Sequence, residues 1–236
     1  MKETYSFVQG VRDGLPIAAG YLAVSFGFGV LVSGADLPVW IAVLISMTNL
    51  TSAGQLAGLG VILSAGGYLE MILTQLVINI RYALMSLTLS QRVDATVTLP
   101  HRFLCAAGVT DEIFGVTSSR EGHVGRHYLY GLILAPYLGW AMGTLLGAVL
   151  GNVLPASLCT ALGIALYAMF IAIILPPAQS DRGVCLVVVG AILLSTALYF
   201  IPIYSQIPDG FAVILASVPV AALVAWRFPV ATEEEM

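Results

Sequence analysis

The sequence predicts an all-α integral membrane protein, and three observations carry that prediction. Of its 236 residues, 59% are hydrophobic and only 9% charged, with a mean hydropathy of +0.96. A soluble domain of this length could not hide so much apolar surface in one core. Several apolar segments approach or exceed the roughly 20 residues needed to cross about 30 Å of hydrocarbon. Period-two alternation is absent, which argues against a β-barrel and leaves the helix as the way for each span to satisfy its own backbone groups in lipid. We expect a single polytopic transmembrane domain over residues 1–236.

Taken in order, residues 1–13 carry Lys2, Glu3, Arg12 and Asp13 and read as a cytoplasmic N-terminus. The apolar run LPIAAGYLAVSFGFGVLVSG follows without a small-residue cleavage site, so it reads as a retained span over about 14–34. Further full spans are expected at about 68–90, 128–150, 157–175, 184–204 and 210–227, divided by turns carrying Gly, Pro, Asn or Asp. Residues 228–236, with Glu233–Glu235, read as a solvated cytoplasmic acidic tail that contributes to the net charge of −4.

Two segments, 39–63 and 103–119, are ambiguous. As ordinary crossings they would set Arg92 and Arg102 on one side and Lys2, Arg12, Arg120 and Arg126 on the other. As broken or re-entrant hairpins they would leave every extramembrane Lys and Arg on the cytoplasmic face, Arg182 and Arg227 included, as the positive-inside rule favours. The expectation is therefore six full transmembrane helices plus two broken or re-entrant segments, with eight plain crossings as the alternative. Gly14–Leu15 and Gly131–Leu132 are each followed, 24 residues after the Gly, by Pro38 and Pro155, and Gly34 aligns with Gly151. An internal repeat of this kind suits a transporter.

The stretch SMTNLTSAGQLAGLG, residues 46–60, places polar side chains where lipid offers no hydrogen bonds. On a helix Thr48, Thr51, Ser52 and Gln55 share one face, and so do Gln75, Asn79, Tyr82 and Ser86 on the next span. Two such stripes suggest a shared polar lining; the plainer alternative is interhelical hydrogen bonding at about 1 kcal/mol or less per contact. Arg81 lies about 13 residues into the 68–90 span, too deep to snorkel, at an insertion cost of about 2.5–3.5 kcal/mol. It needs a cavity or a partner, and Asp111 and Glu112 in GVTDEIFG are the best candidates. Three readings stay open: a fixed ion pair, a carboxylate-binding Arg81 with Asp111 or Glu112 titrating to couple a proton, and a plain hydrophilic loop at 110–113.

Gly139, Gly143, Gly147 and Gly151 recur every four residues and leave a flat face for a close helix neighbour, either within the chain or in a homo-oligomer. The glycines of SFGFG, with Pro16 between Gly14 and Gly20, could open the first helix so that free backbone groups meet a zwitterion. No GxxxxGK[ST] loop is present, which argues against ATP-powered transport on this chain, and no GxSxG elbow marks a hydrolase. His101, His123 and His127 lie among loop arginines without metal-ligand spacing; Cys105, Cys159 and Cys185 read as small buried residues. Neither an enzyme, a cofactor, a metal site nor a nucleic-acid partner is expected.

The order GLPIAAGYLAVSFGFG, TSAGQLAGLG, NIRYAL, TDEIFG and GWAMGTLLGAVLG resembles the AzlC family of branched-chain amino acid permeases over about residues 8–151, with Ser52–Gln55 and Asn79–Arg81 most telling. Asn49 and Thr51 are more polar than the family pattern. The resemblance implies export of valine, leucine and isoleucine, and of methionine, through the cytoplasmic (inner) membrane of a bacterium, together with a small hydrophobic AzlD-type subunit. Onto that function the residues map as follows: Gln55 and Asn79 to hydrogen-bond the amino-acid backbone, Arg81 to hold its carboxylate or lock a gate, and Thr51, Ser52, Gly54 and Tyr82 to complete the lining. A non-transporting assembly subunit and a channel for a small polar solute are the competing readings.

Overall fold

The computed structural model describes residues 5–151, 153–155, 157, 158, 161, 171, 174, 175, 178–201, 207 and 209–228. Most of the expected span 157–175, Cys159 and nearly all of the tail 228–236 lie outside the described residues. The elements are helices α1 (Phe7–Gly34), α2 (Val39–Thr48), α3 (Ser52–Leu63), α4 (Tyr68–Leu89), α5 (Leu99–Ala106), α6 (Asp111–Ser118) and α7 (Arg126–Leu150), followed after the incompletely described stretch by α8 (Arg182–Tyr199) and α9 (Asp209–Arg227). Among the described residues no strand forms; one isolated bridge joins Val93 to Val124. Helices α1, α4, α7 and α8 are long and apolar enough to cross a membrane by length and composition, whereas the apolar part of α9, Phe211–Arg227, is shorter.

The first helix begins at Phe7, capped by the Ser6 hydroxyl, which accepts from the Gln9 N–H at 3.2 Å. Residues 7–13, read from sequence as a terminus, thus extend the helix. Contrary to expectation, α1 runs unbroken through Pro16 and SFGFG. Gly10, Gly14 and Gly29 serve packing: a Cβ on Gly29 would run into the Thr144 carbonyl oxygen and stand 2.6 Å from the Ala148 nitrogen of α7.

The chain forms two compact units, one from residues 1–56 and 78–166, the other from 57–77 and 167–236. At the centre of the first, α1 and α7 lie side by side and parallel. Gly10 meets Tyr128 and Leu132, with a Cβ there 2.8 Å from the Leu132 nitrogen; Gly131 meets Phe7 and Val11, with a Cβ 2.9 Å from the Val11 nitrogen. The two helices therefore exchange like contacts at an offset of 121 residues. Gly139 sits on Ala18, Gly143 on Leu22 and Ser25, Gly147 on Phe26 and Gly151 on Ser33, so the glycine ladder is filled from within the chain. The sequence alignment of Gly14 with Gly131 is offset by 117, about one helical turn short of this packing register. An inverted repeat would set such counterparts antiparallel; these run parallel.

Both ambiguous segments are broken helices. Asn49–Thr51 separates α2 from α3, and Ala107–Thr110 separates α5 from α6. The second forms a hairpin against α1 and α7. His101, in the first turn of α5, meets Tyr130 at 2.6 Å, and Arg120, just past α6, meets Asp13 and Tyr128; the bend reaches Tyr21, eight residues or about 12 Å further along α1. Both outer ends thus lie beside the N-terminal ends of α1 and α7.

In the second unit α8 and α9 pair antiparallel, Gly190 against Val220 and Gly183 facing Val224. None of α8 is buried, and Cys185 is exposed on it, whereas Cys105 is buried. Burial of Cys185 was expected from its apolar surroundings; an apolar span is matched to lipid as readily as to a protein core, so that context fixed the solvent and not the neighbour.

Candidate functional site

The two helix breaks supply polar groups that no regular helix could gather, because a break frees backbone carbonyls and N–H groups that side chains must then satisfy. At the first, the Gln55 amide nitrogen donates to the Asn49 carbonyl at 2.6 Å and its oxygen lies 3.5 Å from the Ser46 hydroxyl, which meets Thr144 of α7 at 2.7 Å. Nine residues of continuous helix would hold Ser46 and Gln55 about 13 Å apart; the break folds the first turn of α3 back onto the last turn of α2. Gln55, Ser46 and Thr144 are at most 1% exposed. Gln55 is accordingly a strut of the break in this conformation.

Thr51 serves both sides of the break. Its hydroxyl accepts from the Gly54 N–H at 3.1 Å, opening α3, and donates to Asn79 Oδ1 of α4 at 3.0 Å, with Asn49 Oδ1 at 3.4 Å. Ser52 starts α3 beside it. Thr48, assigned to the same stripe, is exposed and bonds back to the Leu44 carbonyl at 2.7 Å. Because the helix ends at Thr48, the stripe read from 100° spacing does not survive as one face.

At the second break Thr110 caps α6, its hydroxyl accepting from the Ile113 N–H at 3.4 Å. Asp111 and Glu112 fill the first turn, where the unpaired N–H groups and helix dipole favour negative charge. They part company there. Asp111 forms an ion pair with Arg81 Nη2 at 2.8 Å. Glu112 accepts a hydrogen bond from the Tyr21 hydroxyl, which also lies 2.7 Å from Thr110 Oγ1. Of the three readings of this stretch, the geometry is that of an ion pair to one carboxylate and a tyrosine bond to the other. Arg81 also donates to the Tyr82 hydroxyl at 3.2 Å and stands 5.1 Å from that ring's centre, a cation–π distance.

Asn79 and Arg81 sit two residues apart at mid-helix, so α4 carries one break's polar group on one side and the other's on another. Leu50, in the first break, and Tyr21, bonded at the second, join Trp140 in one apolar cluster, the Tyr21 and Trp140 rings edge to face at 4.9 Å. The buried Trp140 indole N–H has no acceptor among the described residues. Sequence reading missed Tyr21, Ser46, Thr144, Thr110 and Trp140. Singly, each passes for an ordinary residue of an apolar stretch; the available signal was a hydroxyl or indole recurring within such stretches, where every polar atom needs a partner.

At the far end of α1 and α7 a second charged cluster is closed. Arg120 pairs with Asp13 and donates from Nε to the Tyr128 hydroxyl at 3.0 Å, which itself donates to Asp13 at 2.8 Å. The bond to Tyr128, with Asp13 adding to it, raises the Arg120 guanidinium above its ordinary value, so this charge persists at any physiological pH.

Comparison with known proteins agrees with the architecture. The family model described as "AzlC protein" matches residues 16–154. The inner membrane protein YgaZ of Escherichia coli is 28% identical over 209 residues, covering 84% of each chain. An uncharacterized membrane protein of Archaeoglobus fulgidus is 29% identical over 198 residues, covering 83% of this chain and 86% of its own. No solved structure matches.

Proposed function

The chain belongs to the AzlC family of membrane proteins, and on that premise we propose that it exports branched-chain amino acids, with methionine among its substrates, across the cytoplasmic membrane of a bacterium. The observation that carries this reading is the Arg81–Asp111 ion pair midway along a membrane-length helix, flanked by two helix breaks. A guanidinium at that depth is costly, and in transporters discontinuous helices with free backbone groups are where a polar substrate is held. Arg81 takes the substrate carboxylate, Asn79 and Thr51 offer amide and hydroxyl contacts, and Leu50 and Trp140 provide apolar surface for a branched side chain.

Six crossings, with 39–63 and 103–119 re-entrant, fit the return of the α5–α6 hairpin to the end where it began, and they keep the extramembrane arginines on the cytoplasmic side with the N-terminus. Cysteine labelling at 64–67 from the extracellular side supports this topology; cytoplasmic labelling rejects it. A small AzlD-type subunit completes the exporter in this proposal. Asp111 or Glu112 couples a proton, to be read as pH-driven counterflow in proteoliposomes.

The deciding experiment expresses the chain with and without the small subunit and measures leucine accumulating inside cells fed a leucine-containing dipeptide. Saturable efflux that lowers this accumulation is the expected result. Unsaturable efflux would mark a channel, and no efflux an assembly subunit. That last reading leaned on the glycine ladder, which α1 already fills.

A further inference from the structure

We propose that Arg81 and Asp111 together receive both ends of an α-amino acid: the guanidinium takes its carboxylate, and Asp111, released from that guanidinium, takes its ammonium group. The inference rests on the transport reading above and adds to it the residue that receives the ammonium group.

The ion pair has the weak, one-point form. Both described polar contacts of Arg81 use Nη2, to Asp111 Oδ2 at 2.8 Å and to the Tyr82 hydroxyl at 3.2 Å. A free carboxylate can engage two parallel N–H groups of the guanidinium fork, a stronger and more directional pairing than the one it displaces. The pair is also reachable, with the Arg81 side chain 54% and the Asp111 side chain 33% exposed. At mid-membrane such charges do not face acyl tails, so the open side is a place for water or a polar ligand.

Charge conservation makes the ligand class specific. Inserting a zwitterion replaces one ion pair by two, and every charge keeps a partner. A substrate with only a carboxylate would strand Asp111, and one with only an ammonium would strand Arg81; a stranded charge away from water is strongly unfavourable. Glu112 is engaged on the α1 side, where its Oε2 accepts from the Tyr21 hydroxyl, whereas Asp111 is the carboxylate paired with Arg81. Asp111 is also the member of the pair that can move, since it stands in the first turn of the eight-residue α6 just past the Ala107–Thr110 break.

The test uses the full chain, reconstituted with its small subunit, and competes leucine efflux with isocaproate, which is leucine without its amino group, and with isopentylamine, which lacks the carboxylate. In the wild type neither analogue at large excess should inhibit as leucine does. Asp111→Asn, checked for a monodisperse folded state, should weaken leucine by about tenfold or more and gain inhibition by isocaproate, because Arg81 then accepts a carboxylate without an ammonium to match. Inhibition of the wild type by isocaproate as strong as by leucine overturns the inference, and needs no variant to fold. Wild-type leucine affinity in a folded Asp111→Asn overturns it equally. A wild type that handles no leucine at all sinks the transport reading itself, a distinct result.

Discussion

The α1–α7 pair and the two helix breaks, Asn49–Thr51 and Ala107–Thr110, lie in the same compact unit and solve opposite problems. Between α1 and α7 glycines bring backbone against backbone: a Cβ on Gly139 would be 2.6 Å from the Ala18 carbonyl oxygen, and on Gly147 it would strike the Phe26 carbonyl oxygen. Lipid tails are as apolar as leucine, so helix association here comes from close van der Waals fit rather than from escape from water. In the broken segments side chains replace the backbone's own hydrogen bonds, as Gln55 does for Asn49 and Thr110 for Ile113. The first arrangement has no room to change, and the second is held by exchangeable polar contacts. The difference teaches that close packing and polar exchange are separated by backbone chemistry: an intact helix pair forms the frame, and interrupted helices gather the polar groups that the proposed transport function assigns to a substrate.

The sharpest way to break this comparison is to put a side chain into the frame. Gly147→Leu or Gly131→Val should abolish the folded state, well above the usual overpacking cost of about 1–3 kcal/mol because the neighbour is backbone and cannot turn aside. Detergent-solubilised yield and melting temperature read this out. Gly20→Ala, with nothing within 4 Å of the added methyl, should stay within about 0.5 kcal/mol of wild type.

Next in size is the site. Arg81→Ala leaves Asp111 without its ion-pair partner, and in protein checked for a monodisperse folded state saturable leucine efflux should fall to background. Intact efflux would detach Arg81 from the substrate. Between frame and site stands Gln55: Gln55→Ala strips the Asn49 carbonyl of a buried donor and should cost about 1–3 kcal/mol, seen as a lowered melting temperature. Arg120→Gln removes the charge from the Asp13–Tyr128 cluster and should cost about 1–2 kcal/mol, with a matching drop in melting temperature. Smallest is Thr48→Val, expected within about 0.5 kcal/mol and without effect on efflux, because among the described residues the Thr48 hydroxyl bonds back to its own helix. Equal effects for Thr48 and Gln55 would restore the single polar stripe of the sequence reading.

Much of the fold was legible in the sequence. Hydropathy located α1, α4, α7 and α8 to within a turn or two of their ends, and the helical interruptions fell in the two segments whose charge balance was ambiguous. The glycine ladder announced a close neighbour, and Arg81 announced a partner among Asp111 and Glu112. The 100° rule misled at Thr48 because it presumes a continuous helix, and Asn49–Thr51 interrupts it. Pro16 and SFGFG suggested unwinding, whereas α1 runs whole through both and α7 packs against Gly29.

The sequence by itself determined the solvent: a chain this apolar and this short of charge must lie in lipid as helices, and its buried polar residues must find partners there. Tertiary structure alone decided which partners they found, that α1 and not a second chain fills the glycine face, that Asp111 takes Arg81 while Tyr21 takes Glu112, and that Gln55 closes a break. The reason is one of range. Composition and spacing act along a single helix, whereas these pairings join residues up to 121 positions apart, whose meeting depends on the register of helices that no local pattern encodes.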